Sequence, residues 1–155
     1  MIKIIGLISD THGLMRPEAL SALSGSDIII HAGDVGRPDI LGHLMAIAPV
    51  FAVRGNVDGG AWTATLPETE TLRFGGHDLH VIHVLADLAV DPKAAGLSAV
   101  ISGHTHQALI ENKDGVLYVN PGSAGPRRFK LPVTVGQIRV EDGKLTPKII
   151  ELNVA

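Results

Sequence analysis

Ile2-Lys3-Ile4-Ile5-Gly6-Leu7-Ile8-Ser9-Asp10-Thr11-His12-Gly13 decides how the rest of the chain is read. The run up to Ser9 is short, rich in Ile and almost wholly apolar, and turn residues close it. That predicts a strand buried on both faces, as in a parallel sheet with helices on each side. The polar residues arrive where the strand emerges, and in open α/β sheets ligands gather at the carboxyl ends of strands. Asp10 and His12 flank one residue, so in an extended segment both side chains point the same way. A carboxylate oxygen beside an imidazole nitrogen suits a divalent transition metal. Taken alone, the pair is better read as a capping Asp and a turn His.

The same pattern recurs along the first half. Pro17 opens a helix with Ala19, Leu20 and Leu23 on one face, and Gly25 stops it. A second buried strand over 27–32 ends in Gly33-Asp34. A second helix over 38–46 turns Ile40, Leu41, Leu44 and Met45 inward. A third strand over 50–53 runs out into Arg54-Gly55-Asn56-Val57-Asp58-Gly59-Gly60. The order is β-α-β-α-β, with a polar cluster after each strand.

The second half is richer in hairpins. Residues 69–74 and 77–83 read as one, around Gly75-Gly76. A short helix is expected within 92–97. A strand over 99–102 leads into Gly103-His104-Thr105-His106. Residues 108–110 and 116–119 form a hairpin around Lys113-Asp114-Gly115. Asn120-Pro121-Gly122-Ser123 is a turn, and 133–140 with 145–152 form a last hairpin. The architecture this predicts is α/β, with two partly mixed sheets packed as a sandwich, helices outside, and a single domain over 1–155.

Composition excludes several roles. Aromatic residues make up 3% of the chain, too few for base-stacking platforms on single-stranded nucleic acid. With 13 Lys+Arg against 16 Asp+Glu, nothing suggests a groove for polymeric nucleic acid. There is no Cys, so metal ligands must be His, Asp, Glu or Asn. No apolar run approaches the length of a membrane span. Lys3 within the apolar N-terminus makes a poor signal peptide, so a cytoplasmic location is expected.

The polar groups at strand ends are Asp10/His12, Asp34, Asn56/Asp58, His83 and His104/His106. Each alone is a weak signal. Together, all after apolar strands, they are hard to explain as caps. His43, His77 and His80 look like bystanders. His31 either orients a ligand or is a plain buried histidine.

The ordered set Asp10-Thr11-His12, Gly33-Asp34, Gly55-Asn56-Val57-Asp58, His83 and Gly103-His104-Thr105-His106 resembles the calcineurin-like metallophosphoesterase superfamily. Within it, the chain is similar to the small bacterial and archaeal phosphodiesterases of the YfcE type. The turn at Asn120-Pro121-Gly122-Ser123, followed by Pro126-Arg127, resembles that group as well. The resemblance implies a sandwich of two mixed sheets flanked by helices, the same architecture. It also implies two divalent metals, with manganese favoured over iron, zinc, nickel or cobalt. Asp10, His12 and His106 would hold the first metal. Asn56, His83 and His104 would hold the second, and Asp34 would bridge them. Cations roughly 3.5–4 Å apart clamp a phosphoryl oxygen and acidify a bridging water, whose hydroxide attacks phosphorus. On this reading the substrate is a small phosphodiester. Asp34, Asn56, Asp58 and His104 are the catalytic set, and Asn56 and His104 also touch substrate. Asp58 either orients a ligand or the attacking water, or is an Asp-Gly turn residue.

Two departures stand out. Many superfamily members have His where this chain has Val57, although the small-phosphodiesterase group generally lacks it as well. His83 is usually followed by Gly and often another His; here Val84 and Leu85 follow, which could narrow the substrate mouth. The alternative function is an interaction scaffold like the retromer subunit VPS29, which has this fold and an incomplete metal site. All seven ligand positions here are filled by residues able to ligate, which favours the enzyme. Strands such as 108–110 could pair between subunits, as related proteins form dimers or tetramers.

Overall fold

The opening apolar run becomes β1 (Ile2–Ile8), and the computed structural model describes residues 1–154. There follow α1 (Pro17–Leu23), β2 (Ile28–His31), α2 (Pro38–Met45) and β3 (Val50–Ala52). The second half supplies β4 (Thr69–Phe74), β5 (His77–Ile82), β6 (Ala99–Ile101), β7 (Leu109–Lys113), β8 (Val116–Asn120), β9 (Thr134–Glu141) and β10 (Lys144–Glu151). They form two five-stranded sheets, ordered β10-β9-β1-β2-β3 and β4-β5-β6-β8-β7. β1 is the central strand of the first sheet, parallel to β2 and antiparallel to β9. In the second sheet β5, β6 and β8 run parallel, with antiparallel β4 and β7 at the edges.

Alternation along β1 and β2 sends side chains to two different cores. Ile5, Leu7, Ile28 and Ile30 face the other sheet and meet Leu79, Val81, Ile101 and Val119. Ile8 and Ile29 face the opposite way, against Ala19 and Leu23 of α1 and Ile40 and Leu44 of α2. Full burial of each such Ile or Leu contributes about 1.5–3 kcal/mol. Both helices begin with Pro at the first turn and place an acidic residue there, Glu18 and Asp39. Proline pre-sets the backbone angle, and the carboxylate complements the helix dipole.

The outer face of the second sheet has no such helical cover. Ile82, Leu97, Val100 and Val116 form a smaller core there, with Leu85, Leu88 and Tyr118 packed against it. The helix expected within 92–97 is instead a single run of turns. Asp91 Oδ1 accepts the Lys93 and Ala94 N–H groups, a start signal. Gly96 then enters the left-handed region at φ 75° and stops the chain from winding on. Start and stop lie too close for a helix. Short 3₁₀ turns at Ala61–Thr65 and Leu85–Asp87, which the apolar pattern does not reveal, fill the loops after β3 and β5. Among the described residues no helix is long and apolar enough to cross a membrane.

Candidate metal centre

The loops after β1 and β2 continue to hold each other beyond the sheet. Asp10 N–H donates to Gly33 O at 3.0 Å and His12 N–H to Asp34 O at 2.9 Å. Gly103 N–H donates to His83 O at 3.0 Å, linking the ends of β5 and β6 in the same way. The segment around Asp10 and His12 is not extended, contrary to expectation. Asp10 and His12 have φ of 57° and 48°, and Asp34, His104 and His106 are left-handed too, at 57°, 73° and 63°. Asp and His tolerate this region better than most residues, but it still costs about 1–2 kcal/mol apiece. Such strain persists where surrounding structure over-determines it, commonly at functional sites. Here the left-handed turns aim the side chains inward and together.

The convergence is close. His106 Nε2 lies 3.5 Å from Asp10 Oδ1 and 3.3 Å from His12 Nε2. His83 Nε2 lies 3.1 Å from Asp34 Oδ2, and His12 Nε2 lies 3.7 Å from the same oxygen. His104 Nδ1 and Asn56 Oδ1 are 3.1 Å apart. Asp10, His12 and His106 form one group able to hold an ion, and Asp34, His83 and His104 form another.

The chemistry of the donors fits cations. His83 Nδ1 donates to Ala32 O at 2.7 Å, so in the neutral ring Nε2 is a bare lone pair. That lone pair faces Asp34, but not in hydrogen-bond geometry, and Asp10 Oδ1 and His83 Nε2 are both buried without a hydrogen-bond partner. Buried, unpartnered charge and lone pairs are costly unless a cation sits among them. Burial pushes the Asp10 carboxyl above its ordinary pKa, only partly offset by the Ser9 hydroxyl, His83 and His106. Burial likewise lowers His106, opposed by Asp10 and reinforced by Arg128, which favours the neutral, ligating form. Burial acts to raise Asp34, but His83 and the Val57 N–H overcome it and hold the carboxyl below the usual range. Burial acts to lower His83, yet Asp34, Ala32 O and Asp10 raise it overall.

One residue of the expected set takes another position. Asp58 does not face the cluster: its carboxylate accepts three backbone N–H groups, from Val35, Gly36 and Gly55 at 3.1, 3.0 and 2.9 Å. It clamps the loop after β3 to the loop after β2 and so holds the backbone of both. Asn56 sits beside His104 at the exposed rim. His31 resolves as a brace. Its Nδ1 accepts the Gly33 N–H, so the neutral ring donates from Nε2 to Thr11 Oγ1, which donates on to Val35 O. Burial lowers its pKa to about 4, keeping it neutral. His77 and His80 are bonded to Ser98 and Thr71, away from the centre.

Some contributors are silent in the sequence. Asn120 Nδ2 donates to Gly103 O and Thr105 Oγ1, and Ser123 Oγ donates to Asp10 O. The Asn120–Ser123 turn therefore braces the ligand loops. Pro126, Arg127 and Arg128 wall a recess of about 230 Å³ with His12 and His106, giving the first triad a cationic flank. The Asn-Pro-Gly-Ser turn and Pro126-Arg127 marked this region in the sequence, without a role for either.

Comparison with known proteins agrees with this geometry. The calcineurin-like phosphoesterase superfamily domain matches residues 4–143. A probable metallophosphoesterase of Methanocaldococcus jannaschii is 36% identical, over 96% of this chain and 81% of that protein. An archaeal phosphodiesterase of known structure superposes with a TM-score of 0.81 at 23% identity, covering 96% of this chain and 99% of that one. Vacuolar protein sorting 29 of Cryptosporidium parvum has the same fold, with a TM-score of 0.78 at 18% identity over 97% and 98% of the two chains. From the strand-end carboxylates and histidines to the match along its length, the chain belongs to the calcineurin-like phosphoesterase superfamily.

Proposed function

We propose that the chain is a dinuclear-metal-dependent phosphodiesterase acting on small diesters. The observation that carries this reading is the pair of ligand groups, Asp10-His12-His106 and Asp34-His83-His104, with Asp34 Oδ2 facing a histidine of each. Asp10, His12 and His106 would hold one divalent cation; His83, His104 and Asn56 would hold the other, with Asp34 between them. Bound cations supply Lewis-acid polarisation of a phosphoryl oxygen and acidify water at neutral pH. The chain's own residues do the rest. Asp34 keeps a negative charge where the two cations would repel. Asn56 ligates without adding charge, so the site stays positive toward a phosphate. Asn56 and His104, exposed at the rim, would contact the entering phosphoryl group. Asp58 keeps the loop of Asn56 in register with that of Asp34. An oxygen- and nitrogen-rich set without thiolate suits manganese, with iron, zinc, nickel and cobalt as competitors.

The test is hydrolysis of bis(p-nitrophenyl) phosphate before and after chelation. Activity should vanish with the metal and return on adding manganese. Full-rate hydrolysis by metal-free protein would overturn the proposal. The likeness to vacuolar protein sorting 29 keeps an interaction scaffold as the second reading. Protein that binds metal stoichiometrically but turns over no diester would favour it.

A further inference from the structure

A second recess borders the metal centre and takes no part in it. It encloses about 310 Å³, with His104 in its wall. The rest of that wall is largely apolar: Val84, Leu85, Ala108, Leu109 and Tyr118. Its origin is topological. Among the described residues no α-helix covers the outer face of the second sheet, and the recess lies between residues 84–86 and the start of the edge strand β7. Leu109 is 45% exposed there, although it is a large apolar residue in a strand. Two of the polar side chains in the wall, Asn120 and Thr105, are engaged within the protein. Asn120 uses both its amide nitrogen and its oxygen on Gly103, Thr105 and Gly122, and Thr105 Oγ1 accepts the Gln107 N–H. Apolar contact is available on several sides. The volume lies at the small end of ligand cavities, which run from about 300 Å³ upward.

We propose that this recess is the specificity pocket for one ester group of the substrate, and that the group is apolar and about one aromatic ring in size. The proposal rests on the phosphodiesterase reading, because His104 connects the recess to the phosphoryl position. The phosphate would lie at the metal centre and the ring between Val84-Leu85 and Leu109. An apolar ring is favoured over a nucleobase because most of the wall is carbon, from Val84, Leu85, Ala108 and Leu109. Val84 and Leu85 stand where the resemblance leads one to expect Gly and His, and they supply much of the apolar wall. In this chain that departure sets substrate chemistry.

Phenylphosphonate and methylphosphonate, which differ by the ring, are the probes. Binding to zinc-loaded protein is read by methyl NMR and by calorimetry, in parallel with diester turnover. Phenylphosphonate should bind at least about tenfold tighter, the scale on which apolar pockets discriminate. It should shift the Val84, Leu85 and Leu109 methyl signals. Leu109→Asp, at an exposed edge position that tolerates charge, should bring the two affinities together. Equal affinities in the wild type, or shifts confined to the Arg127–Arg128 side, would overturn the pocket. So would tighter binding of thymidine 5′-phosphate than of phenylphosphonate. The two readings separate cleanly: turnover without ring preference overturns the pocket alone. Ring preference without turnover overturns the hydrolase and with it the pocket's role in substrate choice, leaving only an apolar binding recess.

Discussion

Asp34 and Asp58 lie in adjacent loops and differ in what their carboxylates face. Asp34 Oδ2 faces His12 and His83, while Asp58 holds three backbone N–H groups. Asp34→Asn should therefore reduce metal occupancy and turnover while the fold persists. Asp58→Asn should lower stability by about 1.5–3 kcal/mol, because the amide NH₂ cannot accept from all three N–H groups and the bonds lose their charged acceptor. Metal titration and thermal melts of both variants check this; equal losses in both measurements would show the division of roles to be wrong. Val57 offers its N–H to Asp34 Oδ1 at 3.0 Å and a 54% exposed side chain with no proton to give. General acid help is worth about 10²–10⁴ in rate. Nitrophenyl diesters should then react and alkyl diesters barely, with Val57→His raising the alkyl rates. A flat dependence on leaving group in the wild type would reveal another proton source. His31 adds a pH dependence of stability. Its pKa is lowered from 6.5 to about 4 by complete burial. The unfolded chain takes up a proton that the folded one refuses, so stability is full above pH 6.5 and falls as pH drops toward 4. The loss approaches about 3 kcal/mol once both states are protonated. Urea unfolding of metal-free wild type and His31→Asn should show their difference shrinking by that amount between pH 7 and 4; parallel curves would refute it.

The loops that leave β1, β2, β3 and β6 act as one element, packed backbone against backbone. Gly55 shows how tightly. A Cβ there would overlap both the backbone nitrogen and the carboxylate oxygen of Asp34. Its backbone angle is not in the left-handed region, so alanine would be unstrained by itself and only the collision matters. Gly55→Ala should push Asp34 aside and lower kcat/KM by about 10²-fold, the effect expected of an ångström-scale misplacement. Far-UV circular dichroism should stay unchanged. Wild-type activity in this variant would mean that Asp34 does not need its observed position. At Gly103 the same argument applies, since a Cβ would meet Ser9 Oγ and lie 2.8 Å from Asp10 Oδ2. Glycines at these strand exits let carboxylates from one loop reach the next.

At the scale of the molecule, the candidate metal centre spans the sandwich. Asp10, His12, Asp34 and Asn56 follow strands of the first sheet, and His83, His104 and His106 follow strands of the second. A bound cation would tie the sheets together, and ligand present at 100 times its dissociation constant stabilises by about 2.7 kcal/mol. Without it, the buried Asp10 carboxyl is disfavoured as an anion. Manganese should raise the wild-type melting temperature. Asp10→Asn should raise that of the metal-free protein, by about 2–4 °C for each kcal/mol relieved, and remove the manganese shift. A variant that melts lower without metal would contradict the pKa direction at Asp10. The sequence by itself determined the strands, because short Ile- and Val-rich runs between turn residues leave few alternatives. It also determined the ligand types, because carboxylates and histidines recur where those strands end. What only tertiary structure decided depends on contacts distant in sequence. The left-handed turns at Asp10 and His12 are held by Gly33 and Asp34. The role of Asp58 is set by backbone groups of the loop after β2, and the neutrality of His31 by its complete burial. Residues 92–96 form turns because Gly96 enters the left-handed region right after the Asp91 start, which the apolar pattern does not announce. Local chemistry fixes which side chains are available; long-range packing fixes what each of them faces.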